Sequence, residues 1–121
     1  MLDINEGKKA VVFARNVIEE YVKKNRVLET GLTKTFQDNQ GAFVTIHTYP
    51  DHNLRGCIGI PLPIMPLEKA IMEGAISATH DPRFPPLSKD ELESIIIEVT
   101  VLTKPEEIKV NDPKEYLEKI K

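Results

Sequence analysis

The sequence predicts an α+β domain with a largely antiparallel sheet flanked by helices. Two observations carry this reading. Along the 121 residues the apolar patterns run helix, hairpin, helix, strand, helix, without the regular strand–helix alternation of a doubly wound parallel sheet. The two adjacent strands are joined by a turn too short for a parallel crossover.

Each element has its own warrant. Residues 5–26 place Ala10, Val11, Ala14, Val17, Ile18, Tyr21 and Val22 at three- and four-residue steps, with lysines and Arg15 between them. That is one face of an amphipathic helix over a core. Residues 27–40 are polar and broken by Gly31, and read mostly as loop. "GAFVTIHTY" (41–49) is β-branched and aromatic, and "NLRGCIGI" (53–60) follows the turn "PDHN", so the pair reads as a β-hairpin. Prolines 61, 63 and 66 end the ladder, since proline has no N–H to donate. Pro66 suits the first turn of a helix over 66–79. Its stripe of Leu67, Ala70, Ile71, Gly74, Ala75 and Ala78 is small enough to approach a sheet closely. Asp81-Pro82 ends that helix, because a residue before proline avoids helical angles.

"HDPRFPPL" (80–87) is a stiff loop. Ser88 and Glu91 form a capping-box pattern for a short helix over about 89–93. "SIIIEVTVLT" (94–103) has Ile95, Ile97, Val99 and Val101 on one face and Ile96, Glu98, Thr100 and Leu102 on the other. So apolar a run is expected to be a central strand covered on both faces. Asp112, Pro113 and Glu115 open a last helix with Tyr116, Leu117 and Ile120 on its apolar side. No repeat, low-complexity tract or linker interrupts the chain, so residues 1–121 read as one domain.

Composition narrows the function. The chain is 40% hydrophobic and 29% charged, an ordinary globular balance. Lys plus Arg is 16 against 19 for Asp plus Glu, a net charge of −3, and no segment is a basic stripe. Non-specific nucleic-acid binding, which needs clustered cations on phosphates, is not expected. No run approaches the length needed to span a bilayer. "MLDINEGKKA" lacks a signal-peptide core, and one cysteine forms no internal disulfide. The expected compartment is the reducing cytoplasm.

That lone cysteine, Cys57, lies in "NLRGCIGIPLP" (53–63). Strand alternation points Arg55, Cys57 and Gly59 one way and Leu54, Ile58 and Ile60 toward the core. Arg55 and Cys57 are roughly 7 Å apart along a strand, and a nearby guanidinium stabilises a thiolate, the nucleophilic form. Gly56 and Gly59 leave backbone bare for a ligand or another segment. These residues make a candidate site, with Cys57 and Arg55 as catalytic groups. Against it, free cysteine is often an inert buried group, and spacing leaves both readings open.

No base is identified. Pairing Tyr49 with Leu54 sets Ile46 opposite Cys57, and a one-residue slip sets His47 there. His52 falls in the turn and His80 at a helix end, where a histidine can act on the helix dipole. The histidine and cysteine spacing does not match a structural zinc site, so no metal is assigned, and no cofactor loop is present. Glu98 reads as an edge or paired charge. Asp81 and Arg83 form the second polar cluster. They either stop the helix and pair locally, or present Arg83 to an anionic substrate group, for which a guanidinium fork is well shaped. Gly56, Gly59, Asp81 and Arg83 are therefore the candidate substrate-binding residues.

"LRGCIG" (54–59) and "DPRFPPL" (81–87), in that order and joined by a helix, resemble the AMME-syndrome critical-region protein family, protein A of the AmmeMemoRadiSam system. The resemblance runs from about residue 5 to the end. It implies an α+β fold with a smaller subdomain and a pocket lined by residues 55–59. It also implies a Memo-like protein and a radical-SAM enzyme as partners, with a role in RNA or protein modification. It attaches no settled reaction. Family members continue past this point with a glycine-rich segment and a Leu-Leu-Pro stretch that adds strands, whereas this chain ends at "EKIK". The C-terminal part of the family domain is thus expected to be absent. An edge so exposed would be free to pair with a second copy in a homo-oligomer. Two functional readings stand: an enzyme or enzyme subunit using Cys57, and a non-catalytic adaptor.

Overall fold

The computed structural model describes residues 4–27 and 34–102. Helix α1 (Ile4–Lys24) is followed by a 3-10 turn (Lys34–Gln37), strands β1 (Ala42–Thr48) and β2 (Leu54–Ile60), helix α2 (Leu67–Ala78), a 3-10 turn (Lys89–Ser94) and strand β3 (Ile95–Val101). The last helix expected from Asp112 onward lies outside the described residues.

The fold is α+β: a three-stranded antiparallel sheet in the order β2-β1-β3, with helices packed on it. One face of the sheet is the core. Ala42, Val44 and Ile46 of β1 are fully buried there, with Ile95 and Ile97 of β3, while Ile58 and Ile60 of β2 pack against them. Helix α1 contributes Ala10, Phe13, Ala14, Val17 and Ile18. Helix α2 buries all of its expected stripe, Leu67, Ala70, Ile71, Gly74, Ala75 and Ala78. The small residues matter: a Cβ on Gly74 would lie 3.1 Å from the Ile58 carbonyl oxygen, so the helix rides close to β2.

Two expectations need correction and one gains detail. Strand β3 is not central: among the described residues β1 holds the middle and β3 an edge. The Ile-rich run is real, but its second face carries exposed Glu98 and Thr100, and only one face meets helices. The loop read over 27–40 contains the 3-10 turn, and its Phe36 is fully buried. A single aromatic within a polar stretch has no periodicity to announce it. Third, Leu54 is 40% exposed rather than core, because β2 breaks its alternation at Arg55.

Arg15 locks the layers. Its guanidinium donates to the carbonyls of Leu92 (3.2 Å) and Ile95 (2.8 Å), joining α1 to the start of β3. Among the described residues no helix is long and apolar enough to cross a membrane.

Candidate functional site

The β1–β2 register places Thr45 opposite Cys57, so neither of the two registers weighed from the sequence is the one adopted. The reason is an irregularity between Ile46 and His47: Ile46 pairs with Gly56 and His47 with Leu54, leaving Arg55 as an extra residue. A bulge of this kind re-aims a side chain. Gly56 accordingly faces the core, where a Cβ would run into the carbonyl oxygen of Ala78. Gly59 is similarly closed by Ala42 and Phe43. The bare backbone at these two glycines accommodates the chain itself.

Cys57 is half-buried on the sheet face opposite the helices, with Sγ 3.2 Å from Thr45 Oγ1. Arg55 leaves that face at the bulge and swings to the loop beyond α2. There its Nε and Nη2 donate to both oxygens of Glu91 at 2.7 and 3.0 Å, and Nη2 also reaches the Pro86 carbonyl at 3.3 Å. The Arg55 side chain is 11% exposed. The Arg55 bonds, and Ser88 behind them, hold the Glu91 carboxyl below the usual carboxylate range. Glu91 also closes the expected capping box, with Oε1 accepting from the Ser88 amide and hydroxyl, both at 3.2 Å. The arginine that sequence spacing set beside the thiol is thus neutralised by an acid that spacing did not connect to it.

The second motif supplies what Arg55 does not. Asp81 is 2% exposed, and its carboxylate is fully engaged. Oδ2 accepts from the Cys57 amide at 3.1 Å and from Arg83 Nη2 at 2.7 Å; Oδ1 accepts from the Arg83 amide at 3.0 Å and its Nε at 3.1 Å. Among the described residues strand β2 is an edge, so its outward N–H groups need partners, and Asp81 provides one at Cys57. The Arg83 bonds hold the Asp81 carboxyl far below the usual carboxylate range. In return Asp81 raises Arg83, and a charge on Cys57 acts on Arg83 in the same direction. Arg83 and Arg55 flank the Phe84 ring, at 5.5 and 6.0 Å from its centroid, each near enough for cation–π attraction.

His47 shares the face of Thr45 and Cys57, but its Nδ1 is 2.7 Å from Glu98 Oε1. His52 stacks on it, with ring centroids 4.5 Å apart. His80 lies elsewhere, 3.1 Å from the Tyr21 hydroxyl. The Asp81 carboxylate therefore joins the Cys57 amide to Arg83, while Arg55 pairs with Glu91 and approaches the same Phe84 ring as Arg83. Sequence reasoning missed Thr45 and the second role of Glu91. An apolar hollow lined by Lys8, Lys9, Val12, Phe13 and Asn16 lies on α1 and includes none of these residues.

Residues 11–121 match the AMMECR1 protein family. The chain belongs to the AMMECR1 family. It is 56% identical to Protein MJ0810 of Methanocaldococcus jannaschii, over 100% of this chain and 61% of that protein. It is 48% identical to Protein MK0488 of Methanopyrus kandleri, over 98% of this chain and 59% of the other. Among solved structures, the uncharacterized protein PH0010 from Pyrococcus horikoshii superposes with a TM-score of 0.86 at 38% identity. That match covers 99% of this chain and 62% of PH0010. The chain thus spans about three fifths of the length of these AMMECR1 relatives.

Proposed function

We propose that this AMMECR1 chain is the thiol-bearing part of an enzyme or enzyme subunit acting in RNA or protein modification in the cytoplasm. Cys57 serves as its nucleophile or redox thiol, and Arg83 holds an anionic group of the substrate. One observation supports this reading above the others: a single buried carboxylate, Asp81, grips both the Cys57 amide and the Arg83 guanidinium. It ties an arginine that is already ordered to the strand residue that carries the sulfur. The Arg83 side chain keeps 57% of its surface exposed, so a substrate oxygen can still reach it. A Memo-like protein and a radical-SAM enzyme are the partners proposed for it.

The test is alkylation by iodoacetamide at pH 7. Cys57 is expected to react faster than free N-acetylcysteine, and Arg83→Ala is expected to slow it. A rate no faster than the free thiol's removes the case for an activated sulfur.

A second reading, a non-catalytic adaptor, draws on a different observation. Arg55 and His47, the two activators the sequence offers, each face a carboxylate, Glu91 and Glu98. On this reading the Arg83–Phe84 loop docks a partner. Pull-downs with the Memo-like and radical-SAM proteins compare wild type, Cys57→Ser and Arg83→Ala. Retention by wild type and loss in Arg83→Ala supports docking; no retention by any form removes it.

A further inference from the structure

We propose that His47, His52 and Glu98 bind one divalent first-row transition-metal ion of the zinc class on the sheet face opposite the helices. The three residues come from three places. His47 is on β1 and Glu98 on β3, where Glu98 pairs with Thr45 and so stands diagonal to His47. Diagonal neighbours across an antiparallel pair lie within reach of long side chains. His52 belongs to the hairpin turn and has φ of 60°, the left-handed conformation that few non-glycine residues take. This conformation belongs to a turn that sets its imidazole on that of His47, with the two planes within 19°.

One ligand atom from each residue lies within 4.8 Å of the other two. Nδ1 of His47 is buried and, among the described residues, is the one buried side-chain nitrogen or oxygen without a hydrogen-bond partner. Glu98 Oε1 is only 2.7 Å away but does not meet hydrogen-bond geometry with it. A cation here would meet the orphaned Nδ1 and the carboxylate at once, and His52, exposed on the hairpin turn, would supply the third ligand by turning its ring out of the stack. Zinc bonds to nitrogen and carboxylate oxygen are about 2.0–2.2 Å, which puts two tetrahedral ligand atoms roughly 3.3 Å apart. Nδ1 and Oε1 need to separate by only about half an ångström to admit the ion.

The donor set chooses the metal class. Two imidazoles and one carboxylate suit zinc and its transition-metal neighbours, whereas calcium and magnesium take oxygen ligands. Three protein ligands leave a position for water, the pattern of open rather than closed sites. The histidine spacing does not announce this site, because its third ligand arrives only through the β1–β3 register.

The test is titration of the full chain with Zn²⁺ and, separately, Co²⁺. One equivalent is expected to bind, and the cobalt form is expected to lack a thiolate charge-transfer band. His52→Ala and Glu98→Gln are each expected to weaken binding by at least about tenfold. Both residues are exposed, so neither substitution opens the core. Cys57→Ser and His80→Ala are expected to bind as wild type does. The proposal is overturned by absence of stoichiometric binding, by wild-type affinity in both ligand variants, or by loss of binding in Cys57→Ser.

Discussion

Asp81 and Cys57, 24 positions apart, are joined by a hydrogen bond of 3.1 Å from the Cys57 amide to Asp81 Oδ2. The same oxygen accepts from Arg83 at 2.7 Å. One acid therefore ties the two motifs together, pairing one outward N–H of β2 and aiming the arginine.

The first prediction is acid sensitivity. Arg83 holds the folded Asp81 carboxyl well below its ordinary value, while in the unfolded chain it titrates near 3.9. A group depressed on folding contributes stability above its unfolded pKa and loses it as pH falls toward the folded one. Wild type should therefore lose stability as pH drops below about 4. Asp81→Asn should be less stable at pH 7 and show a flatter decline. Urea midpoints from pH 7 to pH 2.5 measure both; parallel declines for the two proteins contradict the assignment.

Gly56 gives the second. Any Cβ there meets the Ala78 carbonyl oxygen, which is backbone and cannot rotate away. Gly56→Ala should cost about 1–3 kcal/mol, the usual penalty for overpacking. In a domain of this size that lowers the melting temperature by roughly 4–8 °C per kcal/mol. An unchanged melting curve would show that α2 does not press on β2 as described.

The two arginines should differ in their effect on the thiol. Arg55 is bidentate to Glu91, so its charge is already answered. A charge on Cys57 acts on Arg83. Arg83→Ala is expected to slow iodoacetamide alkylation more than Arg55→Ala does. Equal rates in the two variants, or the reverse order, would reassign the influence.

Arg55 is expected to matter for stability instead. A double-mutant cycle over Arg55→Ala and Glu91→Ala should return a coupling within about 0.5–3 kcal/mol. The low end is favoured because Glu91 is 36% exposed and solvent screens the pair. Chemical denaturation of the four proteins gives the value, and additive effects would mean that the ion pair contributes nothing.

Much of this was legible in the residues alone. The small stripe of α2 and the β1–β2 hairpin follow from periodicity and turn chemistry, which are local properties. So does the Ser88–Glu91 pair. So was the family, because "LRGCIG" and "DPRFPPL" keep their order. Alternation sorted the residues of β3 onto two faces but not which face is covered, and it fails in β2 where an extra residue enters at Arg55.

Which charges meet is set by the assembled sheet. Alternation set Arg55 beside Cys57, but the bulge turned it to Glu91, 36 residues away. Nothing local marked Asp81 as the partner of the Cys57 amide, or Glu98 as the neighbour of His47. Those contacts depend on strand register and on where a loop crosses a sheet edge. A shift of one residue changes every pairing, while the hydrophobic pattern that drives folding constrains register only through the buried face. Local pattern accounts for α1, α2, the three strands and the family; strand register and the loop's path account for which polar side chains meet.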